Sequence, residues 1–137
     1  MTSRLFQRAY TREKPFVSVR ISVVNPYTST ISTFDDRCWV DTGFFGGIHV
    51  PEFRISDVRT ANITPRLTTV TLAGGVRARA HECLAYLQRI ESLALPSPGM
   101  EVELIMQGRS SYGLLGLEVL RRWIVKFNGP SQLLEFY

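Results

Sequence analysis

The sequence is short of cysteine, with Cys38 and Cys83 as the two it has. Two thiols cannot make a disulfide scaffold and their spacing matches no metal site. Both sit among apolar residues, where a buried free thiol is the default. Long hydrophobic runs are also missing: charges interrupt every apolar stretch within a few residues, so no segment is long enough to span a bilayer. The N-terminus has no apolar core of the signal-peptide kind, which argues against secretion and sets the expectation of a cytoplasmic protein. There is no internal repeat and no low-complexity tract. Arginines are spread along the chain rather than clustered with aromatics. The net charge of +4 and pI near 9.4 therefore give weak attraction to acidic partners, not a nucleic-acid site.

What is present is an ordinary globular composition, 45% hydrophobic and 20% charged, which excludes a disordered chain. A length of 137 residues suits one domain spanning the whole chain. Residues 1–13 carry Arg4, Arg8 and Arg12 around Leu5, Phe6 and Tyr10, with no acid before Glu13. This reads as a solvated basic tail, with an organelle-targeting pattern as the alternative.

Val17, Val19, Ile21 and Val23 alternate with polar residues, which is the period of a half-buried strand. Asn25-Pro26 ends it, and a polar Thr/Ser stretch leads to a second strand through Arg37, Cys38, Trp39 and Val40. Pro51 suits the first position of a short helical turn. Phe53 to Asn62 has few strong helix formers, so that element is expected to be short or irregular. Leu67 to Leu72 and the alternating Val76 to Ala80 flank Gly74-Gly75, which predicts a hairpin whose turn uses the positive φ of glycine. Pro96 to Gly99 is a break, and Glu101 to Met106 resumes the alternation. Leu117 to Arg122 is the one convincing helix. Asn128-Gly129 then marks a final hairpin. The fold class is all-β, mostly antiparallel, with one short C-terminal helix.

One stretch bears on chemistry. Asp41-Thr42-Gly43 follows an apolar run, and a carboxylate there needs either a partner or a task, because burying an unpaired charge is costly. From the tripeptide alone, Asp41 reads first as a turn residue accepting backbone hydrogen bonds. The order of landmarks along the chain changes that reading. Val40-Asp41-Thr42-Gly43-Phe44 is followed by Val70-Thr71-Leu72-Ala73-Gly74-Gly75, then by Leu114-Leu115-Gly116 with a helix and a terminal hairpin. In this order the sequence resembles the retropepsin-like (clan AA) aspartic proteases, most closely the small prokaryotic members, from about Arg37 to Tyr137.

The resemblance implies a closed acid-protease barrel and an endopeptidase needing no metal or other cofactor. Asp41 would be the catalytic residue, and since the chain has one such motif, the site would be completed by a second copy in a homodimer. Thr42 and Gly43 would support the loop, Thr42 by bonding across the dimer. Ala73, Gly74 and Gly75 would form the flap over a peptide or protein substrate. Leu114, Leu115 and Gly116 would pack behind the loop. Phe44 departs from the small residue usual in retroviral members, and could narrow or fill the cleft. A retropepsin-like peptide-binding module without efficient catalysis is the alternative function. Leu134-Glu135-Phe136 raises the question of whether the C-terminus staples the dimer.

Other constellations are weaker. His49 and Glu52 are separated by Pro51 and read as a surface pair rather than metal ligands. His81-Glu82 beside Cys83 has no second ligand cluster. Ser110-Ser111 lacks a His/Asp arrangement. Gly43 to Gly47 lacks the Lys-Ser/Thr of a phosphate loop. Phe16, Trp39 and Trp123 read as core.

Overall fold

The computed structural model describes residues 3–10 and 15–137. Its strands are β1 (Phe6–Ala9), β2 (Phe16–Val24), β3 (Ile31–Val40), β4 (Ile48–Val50), β5 (Arg66–Thr71), β6 (Arg77–Ile90), β7 (Leu93–Ala94), β8 (Met100–Met106), β9 (Gly113–Leu115), β10 (Val125–Asn128) and β11 (Leu133–Phe136). The helices are α1 (Ile55–Thr60), entered through a 3-10 turn at Glu52–Arg54, and α2 (Leu117–Leu120).

The period-two residues of β2 do what their spacing predicts: Val17, Val19, Ile21 and Val23 are buried while Ser18 and Arg20 face out. Burying each such aliphatic side chain is worth about 1.5–3 kcal/mol. β2 pairs with β3 along Phe16↔Trp39 to Val24↔Ile31. The Thr/Ser stretch before Phe34 is therefore partly strand, because Ser32 and Phe34 continue the buried register of Cys38. Ser22, buried opposite Thr33, shares a hydroxyl hydrogen bond of 2.7 Å with it.

Six strands close in the order β2-β3-β9-β4-β8-β6, with β6 returning to pair with β2. Closure removes the sheet edges that an open arrangement would leave. The β3/β9 and β4/β8 pairs are parallel and the other pairs of the ring are antiparallel. β5 hangs on the outside of β6. This closed, mostly antiparallel barrel with a short C-terminal helix is the fold class expected from the sequence.

Two local readings need correction. Residues 6–9 are not a solvated tail: β1 pairs with β11, and Phe6 is buried and stacked on Phe136 at 4.5 Å. Arg4 and Arg8 are ion-paired with Glu135 and Glu91, each at 3.1 Å. Arg12 and Glu13 lie outside the described residues. The helix expected over Leu117 to Arg122 closes after Leu120, and α1 is longer than it. α1 forms despite poor propensity because tertiary contacts hold it. Val58 is buried, and the preceding Arg54 is bidentate to Asp36 at 2.9 and 3.0 Å, also reaching Asp57 at 3.2 Å. The guanidinium covers Phe34 and Phe53 and donates to the Asp35 carbonyl at 2.6 Å.

The last strands form a second sheet, β1-β11-β10, whose Leu134 and Phe136 join the barrel core. Leu134-Glu135-Phe136 is thus the middle strand of a sheet within one chain, paired on both edges.

Candidate active site

β3 and β9 run parallel with Val40 opposite Leu115, so the chain leaving β3 places Asp41 directly beyond the barrel wall. The Asp41 amide donates to the Leu115 carbonyl at 3.0 Å. Asp41 Oδ1 accepts the Gly43 amide at 2.9 Å, a local turn of the Asx type. A Cβ on Gly43 would stand 3.3 Å from that oxygen, tight enough to disturb it. Asp41 is half-buried, and it makes no ion pair among the described residues. Thr42 and Gly43 are exposed, and the Thr42 hydroxyl makes no hydrogen bond among the described residues.

The loop after Asp41 is held from below by α2. The amides of Gly116, Leu117 and Glu118 donate to the carbonyls of Gly47 (2.8 Å), Phe44 (2.7 Å) and Gly46 (3.2 Å). Gly116 crosses so close that a Cβ would lie 2.1 Å from the Gly46 oxygen and 2.7 Å from the Phe44 ring. Gly46 would likewise meet that ring at 2.7 Å. The Phe44 ring is therefore folded onto these two glycines.

Two cavities flank Asp41, sharing it, His49 and Leu114 as walls. One, of about 360 Å³, lies under the β5–β6 hairpin and is lined also by Phe44, Val70, Leu72, Ala73 and Ile105. The other, of about 310 Å³, is bounded by Trp39, Tyr112 and the 107–110 loop. Trp39 and Tyr112 stack at 3.9 Å, and Phe16 packs on both. Trp39 is thus a half-buried wall, with the half-buried Phe16 packed behind it, rather than deep core.

The hairpin tip is a 3-10 turn over Ala73–Gly75, all exposed, with φ of 82° at Gly74 and 80° at Gly75. Positive φ is the reason the tip uses glycine. Ala73 reaches the cavity wall; Gly74 and Gly75 do not line it.

The residues expected behind the loop divide. Leu115 is fully buried and Gly116 is the close crossing, but Leu114 faces the cavities, since neighbours on a strand point to opposite sides. His49 is not half of a surface pair with Glu52: its Nε2 lies 3.0 Å from the Gln107 carbonyl, which makes it the donor. Glu52 instead stands 3.9 Å from Arg109. His49 was missed as a cleft residue because a three-residue strand has too little sequence to show which face it presents.

Other nucleophiles are poorly placed. Burial pushes the Cys38 thiol well above its usual range, and pushes Cys83 up to about 11 with help from Glu82. No group of three or more His, Cys, Asp or Glu that could hold a metal occurs among the described residues. Two larger cavities, of about 470 and 450 Å³, share no lining residue with those beside Asp41. No helix among the described residues is long and apolar enough to cross a membrane.

The fold and loop define a closed all-β barrel carrying a carboxylate at the mouth of a cleft beneath a glycine-tipped hairpin. No protein-family model matches the chain, and no curated protein matches it. Among solved structures it is similar to a retropepsin-like aspartic protease from Rickettsia conorii, at 16% identity over 92% of this chain and 96% of that one. The TM-score is 0.48.

Proposed function

We propose that residues 1–137 are one domain of a homodimeric aspartic endopeptidase, with Asp41 of each copy forming the catalytic pair. The observation that carries this reading is the setting of Asp41. Its carboxylate is half-buried, oriented by its own loop, free of any ion pair among the described residues, and flanked by two cavities under a glycine-tipped hairpin. A carboxylate so placed is half of a two-carboxylate site.

Two carboxylates in contact cannot both ionise easily, so the pair shares one proton. The ionised member takes a proton from water, whose oxygen attacks the peptide carbonyl carbon. The protonated member donates to the carbonyl oxygen as the tetrahedral intermediate forms. When the intermediate collapses, the C–N bond breaks and the amine leaves with a proton from the first carboxyl. Thr42 bonds across the dimer, and Ala73 to Gly75 close over a peptide or protein bound in extended form.

The alternative, a retropepsin-like binding module without efficient catalysis, is motivated by the aromatic pair Phe44-Phe45. The Phe44 ring is folded onto Gly46 and Gly116 as one wall of the cleft and Phe45 is exposed, an arrangement that supports the catalytic reading over that alternative. The test is cleavage of a diverse peptide library across pH. The pure protein is expected to cleave with a bell-shaped pH dependence, blocked by pepstatin-like transition-state mimics. Asp41→Asn is expected to abolish cleavage and keep the fold. Full activity in Asp41→Asn would sink the assignment.

A further inference from the structure

We propose that the second copy docks through the outer edge of β10, joining two β1-β11-β10 sheets into one six-stranded sheet across a two-fold axis. The inference rests on the homodimeric reading above and names the surface that reading leaves open.

The chain's own C-terminal strand cannot serve. β11 is hydrogen-bonded to β1 on one edge and β10 on the other, so none of its edges is left for a partner. The sheet's remaining edges are those of β1 and β10. The β1 edge is flanked by Arg4 and Arg8, ion-paired with Glu135 and Glu91 at 3.1 Å, so a second copy docking there would have to displace both pairs.

The β10 edge is different. Ile124 and Tyr137 exchange both of their backbone hydrogen bonds, at 3.1 and 2.9 Å. Alternation then turns the N–H and C=O of Lys126 toward β11 and those of Val125 and Phe127 outward. Those outward groups have no strand partner among the described residues. Beside them stand two large apolar side chains in water, Ile124 at 63% and Phe127 at 46% exposure. Phe127 shares a face with the buried Leu134 and Phe136 and is left open because nothing follows it on the outer side. Lys126 is the one charge on the strand, and it lies in register with Glu135. An edge with unpaired backbone groups and apolar flanks is a template for pairing with another chain.

The same end of the molecule carries a third exposed apolar group. Phe45, 80% exposed, adjoins Leu117 and Arg121 of the α2 segment that leads into β10. It is four residues from Asp41, so at about 3.8 Å per residue it lies within about 15 Å of a two-fold axis that brings Asp41 to its copy. Phe45, Ile124 and Phe127 thus flank the two ends of α2, and a second copy is the occupant that both the half-site and the open strand require.

Sedimentation equilibrium on the full chain carrying Asp41→Asn tests this without depending on catalysis. A dimer is expected, with Phe127→Asp raising its dissociation constant about a hundredfold or more. Tyr27→Asp, at an exposed apolar residue elsewhere, is expected to leave it unchanged. Should Phe127→Asp fail to fold, Phe127→Pro removes only an outward N–H and is expected to give folded monomer. A monomeric parent protein, or a dimer indifferent to both changes at Phe127, would overturn the interface. A β10-dependent dimer that never cleaves peptides would sink the enzyme reading and leave the interface standing; an active dimer indifferent to Phe127 does the reverse.

Discussion

A Cβ on Gly116 would lie 2.1 Å from the Gly46 carbonyl oxygen, whereas a Cβ on Gly74 would meet nothing within 4 Å. The two glycines belong to the two halves of the cleft. The floor, from Asp41 to Gly47 with Gly113 to Gly116 against it, is stitched by backbone hydrogen bonds and packed to contact. The overhanging hairpin is a backbone ladder from Arg66–Glu82 to Thr71–Arg77, with an Arg66–Glu82 ion pair at its root, and its tip is exposed and packed against nothing. Glycine serves closeness in the floor and positive φ in the hairpin. The proposed catalytic reading uses both, one to hold the carboxylate still and the other to admit a peptide above it.

The floor is most sensitive at Gly116. Gly116→Ala forces the floor apart and is expected to cost about 3 kcal/mol, lowering Tm by about 10 °C in a thermal melt. Gly74→Ala meets no neighbour and pays only for its left-handed backbone, about 1 kcal/mol. Its melt should move by no more than a few degrees, while KM for peptides rises. Equal melting shifts for the two variants would erase the distinction between floor and hairpin.

The smallest effect concerns pH at the hairpin root. Burial, then the carboxylates of Glu82 and Glu118, hold the Glu103 carboxyl above its usual range. The folded state therefore binds that proton more tightly than the unfolded chain, and stability is lost as pH rises through the folded value. Glu103→Gln should remove this slope above the ordinary glutamate range. The gain at neutral pH is expected to be under about 1 kcal/mol, since the group is largely solvated. A steeper slope in denaturant titrations of Glu103→Gln would contradict this.

What could be read from sequence was what repeats locally. The β2 alternation, the glycine hairpin and the Asn128-Gly129 turn each carry their signal within about ten residues. β1 was misread because four residues with one buried side chain look like any polar stretch, and the strand is created by β11 at the far end of the chain. α1 and its Arg54 clamp were invisible for the same reason, although the adjacent Asp35-Asp36 was a hint that a buried cation lay somewhere opposite. At the candidate site, the motif pointed to Asp41, which stands beside a cleft, and to the close glycine crossing at Gly116. It could not divide Leu114 from Leu115 or place His49 in the cleft, because those assignments depend on which way a three-residue strand faces.

The proposed active site takes a carboxylate from each of two chains. Mixing wild-type protein with an equal amount of Asp41→Asn, after conditions that allow subunits to exchange, tests it directly. If Asp41 of both copies is required, only wild-type pairs cleave, and activity falls to about one quarter of that of the same total protein in wild-type form. Activity of about one half, in simple proportion to the wild-type chains present, would mean that each chain acts alone and would contradict the account.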